Sequence, residues 1–437
     1  MISLSIRLIP LLIATQSFGA TELDPFDAFD AQLQSSFQAI DSDLSSEYEM
    51  INAAINSGFQ QLSKEVESVW GQGEIRLPEK HIWVDYSDDK STRRIFDFAS
   101  ESLIVEHLID PNASFESTSA TIKEAVYEAK TDTTTDLAVK DDALKYAMNS
   151  LAKSGIDLTE SSVRGDLARE PILGDNLLIS KKTVDAIDAI VKEQTDGATQ
   201  IKRTDDSKMK SAVSPTKSGV QRDTTESSRS TQLSSKLTKG GKRKISVTIP
   251  LEPDFMINRS KEFRTAVLEQ ADRHNLQPSL IFAIMETESH FNPRAKSPIP
   301  AFGLMQLVPS SGGVDSYNYL YGAKKILPPE YFFHAHQNIE LGAAYIKLLD
   351  HSYLKPIKNP TSRIYCTVAA YNAGAGGVAR AFVGNKNVAS ASAIINAMTP
   401  AEVYKHLLEH LPAAETRNYL KKVFKAQARY RFVDLQR

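Results

Sequence analysis

Glu288 closes the run Ile281-Phe282-Ala283-Ile284-Met285-Glu286-Thr287-Glu288-Ser289, in a helix whose start is marked by Pro278. At about 100° per residue, Leu280, Ile281, Ile284 and Met285 flank Glu288 on one face, and Glu286 falls roughly opposite. Ionised carboxylates are costly to bury, so an acid inside an apolar stripe contributes little to stability. It suits a carboxyl that must still hold its proton near neutral pH. The helix alone leaves two readings of Glu288 open: such a proton donor, or a buried acid paired with nearby Arg294 or Lys296. Glu286 reads as a solvated surface residue.

The residues that follow decide between them. No Asp or Glu occurs from Ser289 to Val314. Glycosidases ordinarily flank the scissile bond with two carboxylates, so this stretch removes the nearest partner. Asp315, Glu330 and Glu340 could serve only if the fold returned them to Glu288. The block Glu288-Ser289-His290-Phe291-Asn292-Pro293-Arg294-Ala295-Lys296-Ser297 is followed by Gly303-Leu304-Met305-Gln306. Then come Ala370-Tyr371-Asn372-Ala373-Gly374 and Glu415-Thr416-Arg417-Asn418-Tyr419. This ordered set resembles the soluble-lytic-transglycosylase-type family, a lysozyme-like fold that cleaves bacterial peptidoglycan. The resemblance covers about residues 245–430.

That resemblance implies a mechanism. Protonated Glu288 would donate to the glycosidic oxygen between N-acetylmuramic acid and N-acetylglucosamine. The ionised Glu288 would then take the proton of the C6 hydroxyl as that oxygen attacks C1, giving a 1,6-anhydro end without consuming water. An internal nucleophile has already lost its translational entropy, and the substrate acetamido group would stabilise the oxocarbenium-like stage. By the same resemblance, the Tyr419 hydroxyl would hold the Glu288 carboxyl. Ser297, Met305, Gln306, Tyr371 and Asn372 would line the sugar cleft, with Tyr345 a further candidate; plain core packing is the alternative for Met305 and Tyr345. Two other functions remain open: a hydrolytic lysozyme-type muramidase, and a non-catalytic wall-binding protein, which would have no need of a buried acid. No cofactor motif is present. His334 and His336 lack a third ligand in register, so a loop is expected there rather than a metal site. Glycines 303, 374, 376 and 377 read as turn and close-packing positions.

The elements that must position these residues divide the 437-residue chain. Residues 1–19, with Arg7, an apolar run and Ser17-Phe18-Gly19, read as a secretory signal. The expected location is therefore the periplasm or cell envelope. Cys366 is the only cysteine, in an apolar run, and is expected to be buried. The resemblance extends to a membrane-bound, lipid-anchored subgroup of the same family, whose anchor needs a cysteine just after the signal. Ala20-Thr21 stand at that junction instead, so only peripheral membrane association is expected. The net charge of −3 offers no electrostatic case for nucleic acid. Glycan strands are the expected partner, with an envelope protein as a candidate for the N-terminal domain.

Residues 20–195 form the expected N-terminal domain, an α+β unit of one long helix and a small antiparallel sheet. Phe26, Phe37, Tyr48, Phe59 and Trp70 recur every eleven residues, as do Phe29, Ile40, Ile51 and Leu62, and Leu33, Leu44, Ile55 and Val66. That period runs almost straight along a helix, packed on its own domain or paired in a coiled coil, with Gly58 a candidate kink. Ile82–Tyr86, Arg94–Phe98 and Ser102–Glu106 alternate as strands. Residues 196–244, rich in Ser, Thr, Lys and Gly, read as a flexible basic linker. Residues 245–437 form the expected mainly α, lysozyme-like catalytic domain. Ile245, Val247 and Ile249 are a strand able to return to the first sheet, and Thr399-Pro400-Ala401-Glu402 is a capping box.

Overall fold

The computed structural model describes residues 49–110, 112–153, 172–173, 177, 179, 181–201, 231–238, 241–252, 254–297 and 301–435. The expected signal, the first part of the eleven-residue repeat and positions 202–230 of the expected linker lie outside them. Helix α1, residues 49–70, ends at Trp70 because Gly71 adopts φ 89° and its N–H bonds to the Glu67 carbonyl at 2.9 Å. Positive φ at the residue after a helix is where glycine carries no penalty. Leu62, Val66 and Trp70 are buried against Val84, Tyr86, Ile95 and Leu108. The stripe therefore faces the chain's own sheet over this span. Residues 49–70 are helical throughout, and at Gly58 a Cβ would lie 2.1 Å from the Ala143 carbonyl oxygen, so this glycine permits a close helix crossing.

Strands β1 (Ile82–Tyr86), β2 (Thr92–Asp97) and β3 (Ser102–Leu108) form a meander. Helices α2 (Phe115–Thr131), α3 (Thr134–Val139), α4 (Asp142–Lys153) and α5 (Lys181–Ile201) follow. Strands β4 (Gln232–Leu237) and β5 (Arg243–Pro250) then complete a five-stranded antiparallel sheet in the order β1-β2-β3-β5-β4. Ile245, Val247 and Ile249 alternate inward and sit opposite His107, Val105 and Leu103.

The basic stretch is thus not all linker. Helix α5 runs into the stretch as far as Ile201, β4 lies inside it, and Lys244 is paired with Glu74 and Glu106 at 3.0 and 3.1 Å. Lysine runs ordinarily read as solvated; here acids on neighbouring elements receive one. Strand β4 is a partly exposed edge of Ser, Lys and Gln, so it lacks the apolar alternation that reveals a strand. Because β5 belongs to this sheet, a domain boundary at 245 falls inside the N-terminal fold.

The helical half comprises α6 (Phe255–Glu262), α7 (Arg264–His274), α8 (Pro278–Ser289), α9 (Val314–Tyr321), α10 (Pro329–Phe333), α11 (Ala335–Leu348), α12 (Pro360–Val383), α13 (Val388–Ile395), α14 (Pro400–His410) and α15 (Ala414–Asp434). Helix α8 buries every residue except Glu286 and Thr287 and packs along α15. A helix apolar nearly all round belongs in the centre of a domain. The Thr399–Glu402 capping box forms, with the Thr399 N–H donating to the Glu402 carboxylate at 2.8 Å.

Candidate active site

Helix α8 is fixed at both ends. At its start the Ser279 N–H and hydroxyl donate to Asp434 at 2.9 and 2.6 Å, so a carboxylate sits on the helix N-terminus. At its end Ser289 donates to the Leu304 carbonyl at 2.8 Å, tying the helix to the loop that follows. His290 and Phe291 both take positive φ, 51° and 58°, and turn the chain sharply. Glu288 sits on the last turn, 4% exposed. Burial raises its carboxyl above the usual range; the Lys80 ammonium, with its Nζ 2.7 Å from Oε2, and the Tyr419 hydroxyl oppose that shift. Glu415, exposed at the start of α15, adds to the rise.

The expected site residues divide by what they touch. Tyr419 is buried on α15 beside Glu288, near enough that each biases the other's protonation, yet its hydroxyl makes no hydrogen bond of normal geometry. Tyr371 lies on α12 close enough for Glu288 to hold its hydroxyl proton more tightly, and donates to the Met305 carbonyl at 2.8 Å. The Tyr345 ring meets Tyr371 edge-on at 5.4 Å. Asn372, half-buried, accepts from the Thr416 hydroxyl at 2.7 Å, linking α12 to α15. It stands in the last turn before Gly374, whose φ of 72° breaks α12. Ser297, also half-buried, accepts from the Ala301 N–H at 3.2 Å.

Two of the expected cleft residues have their side chains turned to the protein. Met305 is fully buried, with its sulfur against Gly342, in keeping with its core-packing alternative; its backbone bonds through the carbonyl to Tyr371 and through the N–H to Asn338. Gln306, at φ 48°, directs its amide NH2 to the Ala295 and Gly303 carbonyls at 3.0 and 3.1 Å. Its donors brace the loop, and only its buried carbonyl oxygen lacks a partner. Gly303 is required in that loop: it has φ 75°, and a Cβ would lie 2.1 Å from the Phe332 carbonyl oxygen.

The readings of neighbouring charges also change. Glu286 is not solvated; it pairs with Arg429 at 2.8 Å and accepts from the Tyr430 hydroxyl, across the α8–α15 contact. Neither Arg294 nor Lys296 pairs with Glu288. Arg294 meets Asp141 at 3.0 Å, and Lys296 lies 3.4 Å over the Phe59 ring. Asp315 accepts from Tyr353, and Glu340 from Arg273 and Tyr321. Glu330 is buried near Arg294 and Asp141. None of the three acids joins Glu288.

Sequence reasoning missed Lys80 and His81. They form the tip of a tight turn closed by Glu79 and Ile82, whose backbones bond at 2.8 and 3.3 Å. No periodicity marks a turn tip as a contact with a distant helix, so only the assembled fold reveals it.

A helical half with the buried Glu288 carboxyl on its central helix, and an α+β half that touches it, together match two family descriptions. Residues 265–394 match the Transglycosylase SLT domain, and residues 48–137 match the N-terminal domain of membrane-bound lytic murein transglycosylase C. These matches define the class of protein: a lytic transglycosylase, an enzyme acting on peptidoglycan. A membrane-bound lytic murein transglycosylase C from Pectobacterium atrosepticum is 32% identical over 366 residues, covering 84% of this chain and 87% of its own. The Klebsiella pneumoniae protein of the same name is 42% identical over 186 residues, 43% of this chain and 51% of its own length. The inactive variant of the lytic transglycosylase Slt from Pseudomonas aeruginosa aligns with 38% of this chain and 23% of its own at 27% identity, with a TM-score of 0.29. The chain belongs to the membrane-bound lytic murein transglycosylase C family.

Proposed function

We propose that this chain cleaves the β-1,4 bond between N-acetylmuramic acid and N-acetylglucosamine without water, Glu288 acting first as acid and then as base. Glu288 protonates the leaving O4 as the C1–O4 bond breaks. The resulting carboxylate then removes the C6 hydroxyl proton while O6 bonds to C1, leaving a 1,6-anhydromuramoyl end and a regenerated acid. Tyr419 orients the carboxyl; Asn372, Ser297 and Tyr345 are the half-buried groups available to the glycan. The observation that carries this reading is a carboxyl, 4% exposed and raised by burial, which none of the three later acids joins: Asp315 and Glu340 are bonded elsewhere, and Glu330 is buried near Arg294 and Asp141. A catalytic acid needs its proton at working pH, and burial supplies that affinity.

Hydrolysis would need a second acid to activate water, and Glu415 is the carboxylate whose charge bears on Glu288. Digesting purified peptidoglycan and weighing the muropeptides separates the two chemistries. Anhydro ends are expected; reducing ends one water heavier, lost in Glu415→Gln, would establish hydrolysis. The names of the relatives support an envelope location, although no helix among the described residues is long and apolar enough to cross a membrane.

A further inference from the structure

The tip of the Glu79–Ile82 turn belongs to the N-terminal half, yet both of its residues end at the catalytic helix. Lys80 places its ammonium 2.7 Å from Glu288 Oε2. His81 packs its ring against His290, centroids 4.2 Å apart and near perpendicular, and bonds to the Thr287 backbone. Two neighbouring side chains thus meet Glu288 on the last turn of α8 and His290 just beyond it. The turn is itself anchored, since Tyr86 on β1 donates to the Arg76 carbonyl at 2.7 Å. The side chain of Lys80 remains 29% exposed while that of Glu288 is 6% exposed, so the ion pair stands at the edge of the burial.

Resting on the acid–base reading of Glu288, we propose that Lys80 is a positioning residue of the active site, supplied by the N-terminal half, which stabilises the Glu288 carboxylate between proton donation and proton return. The intermediate state needs such a partner. Once Glu288 has given up its proton it is a buried anion, and an uncompensated buried charge is costly. Around the pair, α15 contributes Tyr419, Glu415 and Lys422, α12 contributes Tyr371, and the turn and the end of α8 contribute His81 and His290. Burial holds the two imidazoles neutral, at about 4 and about 3. Burial makes both tyrosines hold their protons, and Lys80, 2.7 Å from Oε2, is the cation paired with the carboxyl. The N-terminal half thereby does more than dock the catalytic domain: it completes its acid.

The test is the pH profile of peptidoglycan cleavage by the full chain. Removing a nearby cation favours the protonated carboxyl, so the alkaline limb of kcat/KM should move up by about one pH unit in Lys80→Met. Lys80→Arg keeps the charge and should keep the limb in place. A merely structural lysine would lower the rate in both variants with the limb unmoved, and that result overturns the proposal, as would a downward shift. Glu288→Gln is the control for the underlying reading. If it retains activity, the acid assignment itself falls; if it is inactive while Lys80→Met leaves the limb unmoved, only the role of Lys80 falls.

Discussion

In the proposed acid–base reading, Glu288 and Tyr419 trade stability for chemistry. A carboxyl whose folded pKa lies above its unfolded value stabilises the fold below the ordinary carboxylate range and loses that contribution as pH rises through the folded value. Burial raises Glu288 in this sense. Glu288→Gln, neutral at every pH, should therefore melt higher than the parent at neutral pH. The difference should vanish towards pH 4, while cleavage drops by at least about a hundredfold. Thermal melts across pH 4–8 decide this; a variant that is less stable at neutral pH would contradict the sign. Tyr419 offers the complementary case. Its hydroxyl is buried without a well-formed partner, and such a group costs stability. Tyr419→Phe should cut the cleavage rate by about tenfold or more while leaving the melting temperature equal or higher. A large loss of stability would mean that the hydroxyl is bonded in solution and acts structurally.

At the scale of elements, the pairing of α8 with α15 holds the site in register. Phe282 stacks on Tyr430 at 5.4 Å, and Tyr430 donates to Glu286, which also pairs with Arg429. Glu286→Ala leaves the fully buried Tyr430 without its acceptor. It should lower unfolding free energy by about 1–3 kcal/mol in urea titrations, whereas a solvated Glu286 would cost almost nothing. The motif block and the start of α8 at Pro278 could be read from residues because they are local. So could the end of α1 at Trp70-Gly71 and the capping box at Thr399. Glu286 misled because helix periodicity states which residues share a face, not that α15 covers the opposite one. The sequence left Met305 open between sugar contact and core packing for a similar reason: its burial depends on Gly342 leaving room for its sulfur. Gln306 was identified as a site residue, but a side chain at φ 48° that braces its own loop carries no pattern in the sequence. Strand β4 stayed hidden because its partner β5, rather than its own side chains, decides its structure.

Across the whole molecule, the two halves are joined at more than the Lys80 turn. Strand β5 lies between β3 and β4, and the Leu251 N–H continues the pairing to the Glu101 carbonyl at 2.8 Å. A chain cut at 243 would strip both neighbours from β5 and expose Ile245, Val247 and Ile249, so it should aggregate even though every catalytic motif is retained. A further joint is the Asp141–Arg294 pair. Arg294 is 5% exposed and Asp141 8%, with the guanidinium held 5.5 Å over Trp83 and 4.3 Å over Phe333. Trp83 and Asp141 belong to the N-terminal half, while Arg294 and Phe333 belong to the helical half. Asp141→Ala leaves a guanidinium buried without its carboxylate, a change that destabilises by about 3–5 kcal/mol when nothing compensates. Glu330 lies close by, raised by burial and lowered by Arg294, and it can ionise to meet part of that charge. The expected loss is therefore at the lower end, about 3 kcal/mol, and the double variant Asp141→Ala, Glu330→Gln should lose more than the sum of the single changes. Urea unfolding of the four proteins measures this coupling. An additive double variant would show that Glu330 does not share the charge, and an Asp141→Ala midpoint equal to that of the parent would show that the two halves are not held together by this pair.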